Sequence, residues 1–185
     1  MVKITTNTQI WFTSDHHFGH ENIIKYCSRP FQSVEEMNLK MIENWNQVIP
    51  HDGIVFHLGD FAYGGIEFVR DIRAKLNGTI HFVRGNHDKI QDSQLLTVFK
   101  TVNDIARVKV IDPDVPEGIQ RIELCHYPFK SWNGSFRGSW HLYGHCHQNL
   151  PEDSSFSFDI GVDGFNFTPV SYEQVKTKMN QKQSL

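Results

Sequence analysis

Three apolar stretches that each end in potential metal ligands constrain this chain more than any other feature. In residues 80–88, Ile-His-Phe-Val-Arg-Gly-Asn-His-Asp, a β-branched and aromatic run breaks at a glycine into polar side chains. Residues 10–14 run into Asp15-His16-His17 in the same way, and residues 54–58 run into Gly59-Asp60. Because α/β sheets present chemistry at the carboxyl ends of their strands, the three stretches predict one functional site at a sheet edge.

Length and composition limit the class of protein. A chain of 185 residues predicts a single domain over residues 1–185, long enough to bury a core. The net charge of -3 and pI of about 6.4 leave no basic field for wrapping extended nucleic acid. Three cysteines fit reduced thiols better than a disulfide framework. With no secretory pattern and no apolar run of membrane length, we expect a cytoplasmic protein without a membrane partner.

The order of the predicted elements indicates two halves of different pairing. Strand and helix alternate in the first half, which implies parallel strands, and the second half is mostly strands. Ser33 and Glu36 predict a capping box that begins a helix ended by Pro50. The other predicted helices cover residues 21–26, 66–76, 93–100 and 172–179, with a frayed tail at 180–185. The predicted strands cover residues 10–14, 54–58, 79–84, 106–111, 119–125, 141–143 and 156–160, the fourth and fifth as a hairpin.

Seven polar residues that follow predicted strands supply only oxygen and nitrogen donors. Two divalent ions that share a carboxylate need about this many ligands, with positions left for water and substrate. In an extended segment, Asp-x-His and His-x-His spacing puts both side chains on one side, so each pair is predicted to converge. Without Cys-x-x-Cys, a structural zinc knuckle is a poor alternative. The candidate metal ligands are Asp15, His17, Asp60, Asn86, His126, His145 and His147.

The same residues resemble the motifs of the calcineurin-like metallophosphoesterase superfamily. Those motifs are Asp-x-His, Gly-Asp, Gly-Asn-His-Asp/Glu, a lone His and Gly-His-x-His, and all five occur in order over roughly residues 10–163. The resemblance implies an α/β fold (α+β, mixed sheets), a four-layer αββα sandwich with two central sheets and helices outside. The motifs in this chain are Asp15-His16-His17, Gly59-Asp60, Gly85-Asn86-His87-Asp88, His126 and Gly144-His145-Cys146-His147.

The resemblance also implies a role for each motif residue. Manganese is the expected metal, and iron, nickel or zinc would suit the same donors. By the resemblance, two ions lower the pKa of a bridging water, and the hydroxide formed from it attacks phosphorus in line, while His87 assists the leaving oxygen as the catalytic side chain. By this resemblance one ion takes Asp15, His17 and His147, the other takes Asn86, His126 and His145, and Asp60 bridges them.

The second motif departs from the protein-phosphatase branch, which has Gly-Asp-x-x-Asp-Arg-Gly. This chain has Tyr63 in place of the carboxylate that would orient His87, and Gly64 in place of the phosphate-clamping arginine. The departure favours a small phosphodiesterase-like enzyme whose substrate is a small phosphate ester such as a nucleotide. A small-molecule phosphomonoesterase is the nearest alternative. The negative net charge argues against a nuclease. The presence of every motif ligand argues against a non-catalytic metal-binding scaffold.

Several other residues have two interpretations. His20 would face the substrate or cap the next helix. Residues 129–140, which include the candidate substrate contacts Lys130, Trp132 and Arg137, would form a stacking wall for a nucleobase or a self-packed surface loop. Asp163 is expected to support the site or a turn, and Cys146 is not expected to bind metal. Structural roles are expected for His16, His51, His57, His81, His141 and Arg84.

Overall fold

The computed structural model describes residues 2–7, 9–151, 153 and 155–182. Its helices are α1 (Glu21–Tyr26), α2 (Val34–Val48), α3 (Ile66–Arg73), α4 (Asp92–Leu95) and α5 (Tyr172–Lys182). Its strands are β1 (Val2–Thr6), β2 (Ile10–Thr13), β3 (Ile54–His57), β4 (Thr79–Val83), β5 (Thr101–Asn103), β6 (Ile105–Ile111), β7 (Ile119–Cys125), β8 (Trp140–Tyr143), β9 (Ser157–Asp159) and β10 (Val170–Ser171). No helix in these ranges combines the length and apolar character that a membrane crossing needs.

The strands form two mixed sheets. The first has the order β10-β2-β3-β4-β5, in which β2 to β5 are parallel and β10 is antiparallel to β2. The second has the order β1-β6-β7-β8-β9, in which only the β6–β7 pair is antiparallel. The hairpin predicted from the sequence is this pair and is confirmed.

The first sheet is buried on both of its faces. One face contributes Phe12 and Phe56 to a cluster shared with the second sheet and with α5. The other packs under α1 to α4, where Trp45 of α2 is fully buried. Burying one such large side chain is worth about 1.5–3 kcal/mol, so each interface contributes to the fold. Two mixed sheets flanked by helices confirm the predicted α/β sandwich.

The predicted start of α2 is confirmed, with one change in the cap. Ser33 Oγ accepts a hydrogen bond from the Glu36 amide at 3.2 Å, as a capping residue should. The Glu36 carboxylate accepts from the Gln32 amide at 2.7 Å, one residue before the amide that a capping box uses.

The strands missing from the sequence prediction are β1, β5 and β10, and all three lie at sheet edges. An edge strand is held mainly by backbone hydrogen bonds along one side, so it needs little apolar alternation. The helix predicted over 93–100 was too long, because α4 ends at Leu95. The predicted fraying from residue 180 was wrong, since α5 continues to Lys182, and residues 183–185 lie outside the described ranges.

Candidate metal centre

The two sheets meet at the carboxyl ends of their parallel strands. His126 Nδ1 lies 2.7 Å from the Leu58 carbonyl oxygen, which ties the end of β7 to the end of β3. The isolated bridge between Ser14 and Gly161 joins the sheets nearby. The loops that follow the strands bring the seven predicted ligands to this junction: Asp15 and His17 after β2, Asp60 after β3, Asn86 after β4, His126 after β7, and His145 and His147 after β8.

The backbone of both predicted ligand pairs is left-handed, so the predicted extended segments were wrong. Asp15 and His17 converge on one donor group, whereas His145 and His147 belong to different groups. Asp15 and His17 have φ of 58° and 53°, and His145 and His147 have φ of 69° and 47°. Such conformations cost residues other than glycine on the order of 1–3 kcal/mol each. Backbone hydrogen bonds of 3.0 Å, from the Asp15 amide to Gly59 and from the His17 amide to Asp60, hold the first pair.

Close approach of the loops requires glycine at two positions. A Cβ atom on Gly85 would collide with Asp60 Oδ1, and one on Gly144 would collide with the side chains of Ser14 and Asp15. Any other residue would therefore push the ligand loops apart. Both glycines belong to the motifs that the sequence analysis identified.

Asp88 ties the second and third ligand loops together. Its buried carboxylate accepts hydrogen bonds from the amides of Asp60 at 2.7 Å, Phe61 at 3.1 Å and Gly85 at 2.8 Å. Burial raises the pKa of Asp88, and these three amides partly offset the shift. Asp88, for which the sequence predicts no separate role, is therefore the anchor of the Asp60 loop.

Asp15, His17 and His147 form the first donor group, with ligand atoms within 4.8 Å of one another. Burial raises the pKa of Asp15 to about 7, against the opposing effect of His126 and other neighbours. Burial also lowers the pKa of His17, so its ring is neutral, and its buried Nε2 has no hydrogen-bond partner. A cation would use that free lone pair and stabilise the carboxylate charge, so this group fits a metal ion.

Asn86, His126 and His145 form the second donor group. Asn86 Oδ1 lies 2.9 Å from His126 Nε2 and 2.8 Å from His145 Nδ1. Because the Leu58 carbonyl can only accept, the proton of a neutral His126 resides on Nδ1. Its Nε2 then turns a lone pair towards the Asn86 oxygen, an arrangement that a cation between the two atoms would stabilise. This group fits a metal ion as well.

Asp60 lies where the two donor groups meet. Its Oδ2 is 3.5 Å from His17 Nε2 in the first group and 3.5 Å from His126 Nε2 in the second. Its Oδ1 accepts a hydrogen bond from the His87 amide at 2.9 Å, which fixes the carboxylate orientation. One oxygen at equal distances from both groups is the geometry that a shared carboxylate needs.

Arg29 is a buried cation that the sequence analysis missed. Its guanidinium donates to the carbonyl oxygens of Asp15 at 2.7 Å and His16 at 2.9 Å, within the left-handed segment. It also makes a two-point pair with Asp163, at 2.8 and 2.9 Å. No sequence signal marks Arg29, because it lies 134 residues from its carboxylate partner and follows α1 in an ordinary loop.

Asp163 links Arg29 to His147, because one of its carboxylate oxygens contacts both side chains. Its Oδ2 lies 2.8 Å from His147 Nδ1, which leaves Nε2 for a metal. Burial lowers the pKa of His147, but the hydrogen bond to Asp163 outweighs burial and the pKa rises to about 10. Cys27 forms a further donor group with these two residues. Arg29 already engages both Asp163 oxygens, so this carboxylate supports the site, as expected from the sequence.

Two other histidines border the seven ligands. The His87 ring is exposed and its centroid lies 5.4 Å from that of His17. The His20 ring lies 5.5 Å from His17 and stacks on Tyr63 at 4.6 Å. His20 makes no side-chain cap on α1, and its buried Nδ1 has no hydrogen-bond partner. These contacts favour the interpretation in which His20 faces the substrate.

The structure does not bring the aromatic and basic residues of segment 129–140 into the ligand cluster. Trp132 donates its indole N–H to the Ser139 carbonyl at 2.9 Å, and its ring lies 5.4 Å from that of His141. Lys130 and Arg137 are exposed and line two separate cavities, whose walls include none of the seven ligands. The contacts favour a self-packed loop over a nucleobase wall.

The residues expected to be structural have structural partners, apart from His51, which is exposed. His16 points away from the ligands and lies 2.9 Å from His57 Nε2 through its Nδ1. His81 pairs with Thr101 at 3.0 Å. His141 accepts from the Phe129 amide at 3.1 Å, and Arg84 donates to the Ile90 carbonyl at 2.9 Å.

Comparison with known proteins decides the family. The sequence profile of the calcineurin-like phosphoesterases matches residues 8–171. The chain belongs to the calcineurin-like phosphoesterase family. Membership implies metal-dependent hydrolysis of phosphoesters, and members of the family typically bind divalent metal ions.

Three similar proteins come from sources that differ from one another. An uncharacterised protein of Methanocaldococcus jannaschii is 35% identical over 175 residues, which cover 90% of this chain and 89% of the relative. The gene 66 protein of a Mycobacterium phage is 26% identical, over 94% and 96% of the two chains. The crystal structure of a protein of unknown function from Aquifex aeolicus has the same fold. The two structures align with a TM-score of 0.70 at 24% identity. The alignment covers 95% of this chain and 99% of the Aquifex aeolicus chain.

Removing the carboxylate of Asp163 should weaken metal binding by the first donor group without abolishing metal binding by the second. In Asp163→Ala we expect the manganese affinity of the Asp15 group to fall by roughly 10–100-fold, because His147 loses the partner that orients it. Isothermal titration calorimetry would measure both sites, and Asp52→Ala, at an exposed position, is the control. Unchanged affinity in a folded Asp163→Ala protein would show that Asp163 does not position His147.

Proposed function

We propose that this chain is a dinuclear metal-dependent phosphodiesterase that acts on a small phosphate ester such as a nucleotide, with manganese as its metal. The observation that carries the proposal is the position of Asp60 Oδ2, 3.5 Å from a histidine of each donor group. One carboxylate oxygen in reach of both donor groups suits a pair of ions better than a single ion. Asp15 also lies within 4.8 Å of Asp60 and His126, so the two groups adjoin.

In this proposal each ion has its own donor group. The first would be held by Asp15, His17 and His147, and the second by Asn86, His126 and His145, with Asp60 between them. When bound, the two ions supply Lewis-acid charge at the phosphoryl oxygens and activate a water near neutral pH. Histidines that bind metal through a ring nitrogen carry no charge, and neither does Asn86, so two carboxylates against two divalent ions would leave the loaded site net positive, which suits an anionic ester.

His87 acts on the leaving oxygen in this proposal. Its amide donates to Asp60 Oδ1, which holds the loop against the metal ligands, while its ring stays exposed beside His17. From that position the ring can donate a proton or a hydrogen bond to the departing alkoxide. The stacked His20 and Tyr63 border the same space and would contact the substrate.

The preference for a diester rests on the second motif. Tyr63 is 60% exposed and stacks on His20, so no carboxylate orients His87 from this position. Gly64 has no side chain with which to clamp a phosphate. A phosphomonoester dianion therefore lacks the extra cation that a protein phosphatase would offer it, whereas a diester monoanion does not need one.

Two broader assignments complete the proposal. We propose that residues 1–185 form one domain, supported by a family match that spans residues 8–171. We also propose that the protein works in the cytoplasm, supported by three cysteines that are all free thiols: Cys27, Cys125 and Cys146.

The preference for a diester is tested on the wild type. The manganese-loaded protein should hydrolyse bis(para-nitrophenyl) phosphate faster than para-nitrophenyl phosphate. A strong preference for phosphoserine peptides would overturn the proposal.

Asp60→Asn tests the shared carboxylate. The variant should hold fewer than two ions and lose nearly all activity, because the charge that stabilises both ions is gone. Metal content by elemental analysis and release of nitrophenolate are the measurements, with the exposed Asp71→Asn as control. Two bound ions with normal turnover in Asp60→Asn would overturn the proposal.

His87→Ala separates acid catalysis from metal binding. The variant should keep both ions, while turnover of esters with poor leaving groups such as ribose alkoxides falls by roughly 10²–10⁴-fold. Nitrophenyl esters should lose far less, since nitrophenolate needs little protonation. His51→Ala, at an exposed position, is the matched control. An equal loss on both substrates, or a loss explained by missing metal, would assign His87 a supporting role instead.

A further inference from the structure

An apolar cavity of about 150 Å³ borders the His87 loop, and the mechanism above does not use it. Its inner wall lies between β4, α3 and α4 and consists of aromatic and aliphatic side chains. Each of these is at most 3% exposed. The inner wall is formed by Phe61, Val69, Phe82, Leu95 and Phe99.

The outer wall of the cavity belongs to the candidate active site. Tyr63, His87 and Lys89 line it and are all exposed, in contrast to the buried inner wall. The His87 ring that forms part of this wall lies 5.4 Å from the ring of His17, a predicted metal ligand. The side chain proposed to act on the leaving oxygen thus lines the cavity and also neighbours a predicted metal ligand.

The lining selects an apolar occupant of limited size. An apolar cavity of about 150 Å³ has room for one benzene-sized molecule. Asp88 contributes a carboxylate to the cavity wall. Its oxygens already accept hydrogen bonds from the amides of Asp60, Phe61 and Gly85. The buried part therefore offers contacts to a ring but no binding site for a phosphate, which stays outside by the metal ligands.

The space stays open although its walls are packed. Phe82 and Phe99 stack at 4.4 Å beside it, so the surrounding aromatic side chains are well packed and still leave the space open. Because its outer wall is exposed, a ligand can enter from solvent, and covering the apolar inner wall with an apolar ligand would be favourable.

We propose that this space, the ring cavity, receives a single aromatic ring carried by the leaving group of the phosphoester. The inference rests on the proposed function, because it follows from His87 acting on the leaving oxygen. The group attached to that oxygen extends past His87, away from the metal ligands, and so reaches the ring cavity. The substrate class is a phosphodiester whose leaving alcohol carries one six-membered ring or an apolar group of similar size.

Substitutions at Leu95 and Leu96 test the proposal with a matched pair. Leu95 lines the cavity at 2% exposure, whereas its neighbour Leu96 is 54% exposed. In Leu95→Trp, which fills the cavity, the ratio of kcat/KM for diphenyl phosphate to that for dimethyl phosphate should fall by roughly 10-fold or more. In Leu96→Trp the ratio should stay at the wild-type value.

Leu95→Ala keeps the test informative if the tryptophan variant does not fold. The enlarged cavity should raise the ratio of dinaphthyl to diphenyl phosphate turnover by a similar factor. Titration of phenol into the wild type, followed by NMR, should shift the resonances of Phe99 and Leu95. If Leu95→Trp folds, it should abolish the shift of Phe99.

The outcomes distinguish this proposal from the proposed function. Hydrolysis with unchanged ratios in both Leu95 variants would overturn the ring cavity and leave the phosphodiesterase intact. A metal-loaded wild type that hydrolyses no ester would overturn the proposed function and the leaving-group assignment with it. A lack of phenol shifts at millimolar concentration would overturn the ring cavity whatever the activity. The predicted ratio changes together with phenol binding would establish it.

Discussion

The buried Arg29 guanidinium is the interaction on which the arrangement of the site depends. A buried cation is unfavourable by several kcal/mol unless it is paired and hydrogen-bonded, and Arg29, at 4% exposure, meets both conditions. It holds the carbonyls of the left-handed segment that carries Asp15, and through Asp163 it fixes the ring of His147. One side chain therefore orients two ligands that lie more than a hundred residues apart.

Each sheet supplies only part of the predicted ligand set. The first sheet contributes Asp15, His17, Asp60 and Asn86, and the second contributes His126, His145 and His147. Packing between the sheets brings the two sets together, and the strain of the left-handed ligand residues is offset by that packing. Asp60 then lies at the boundary, in reach of a histidine from each sheet. The site is thus a property of the sandwich and of neither sheet alone.

The sequence could predict the parts of this structure that depend on local composition. Apolar strands and the polar residues after them were visible as patterns, and so were Ser33 at the start of α2 and the hairpin of β6 and β7. Contacts between distant segments were not visible. Arg29 has no local signature, and the anchoring of the Asp60 loop by Asp88 requires knowledge of the fold. The left-handed conformation of His145 could not be predicted either, because it depends on tertiary hydrogen bonds that override the local preference.

The proposed function depends most on Asp60, which would join two ions held by the two donor groups. Anomalous scattering from crystals of the manganese-loaded protein measures this directly. We expect two peaks, one among Asp15, His17 and His147 and one among Asn86, His126 and His145, both in contact with the Asp60 carboxylate. A single peak, or a peak among Cys27, His147 and Asp163, would contradict it.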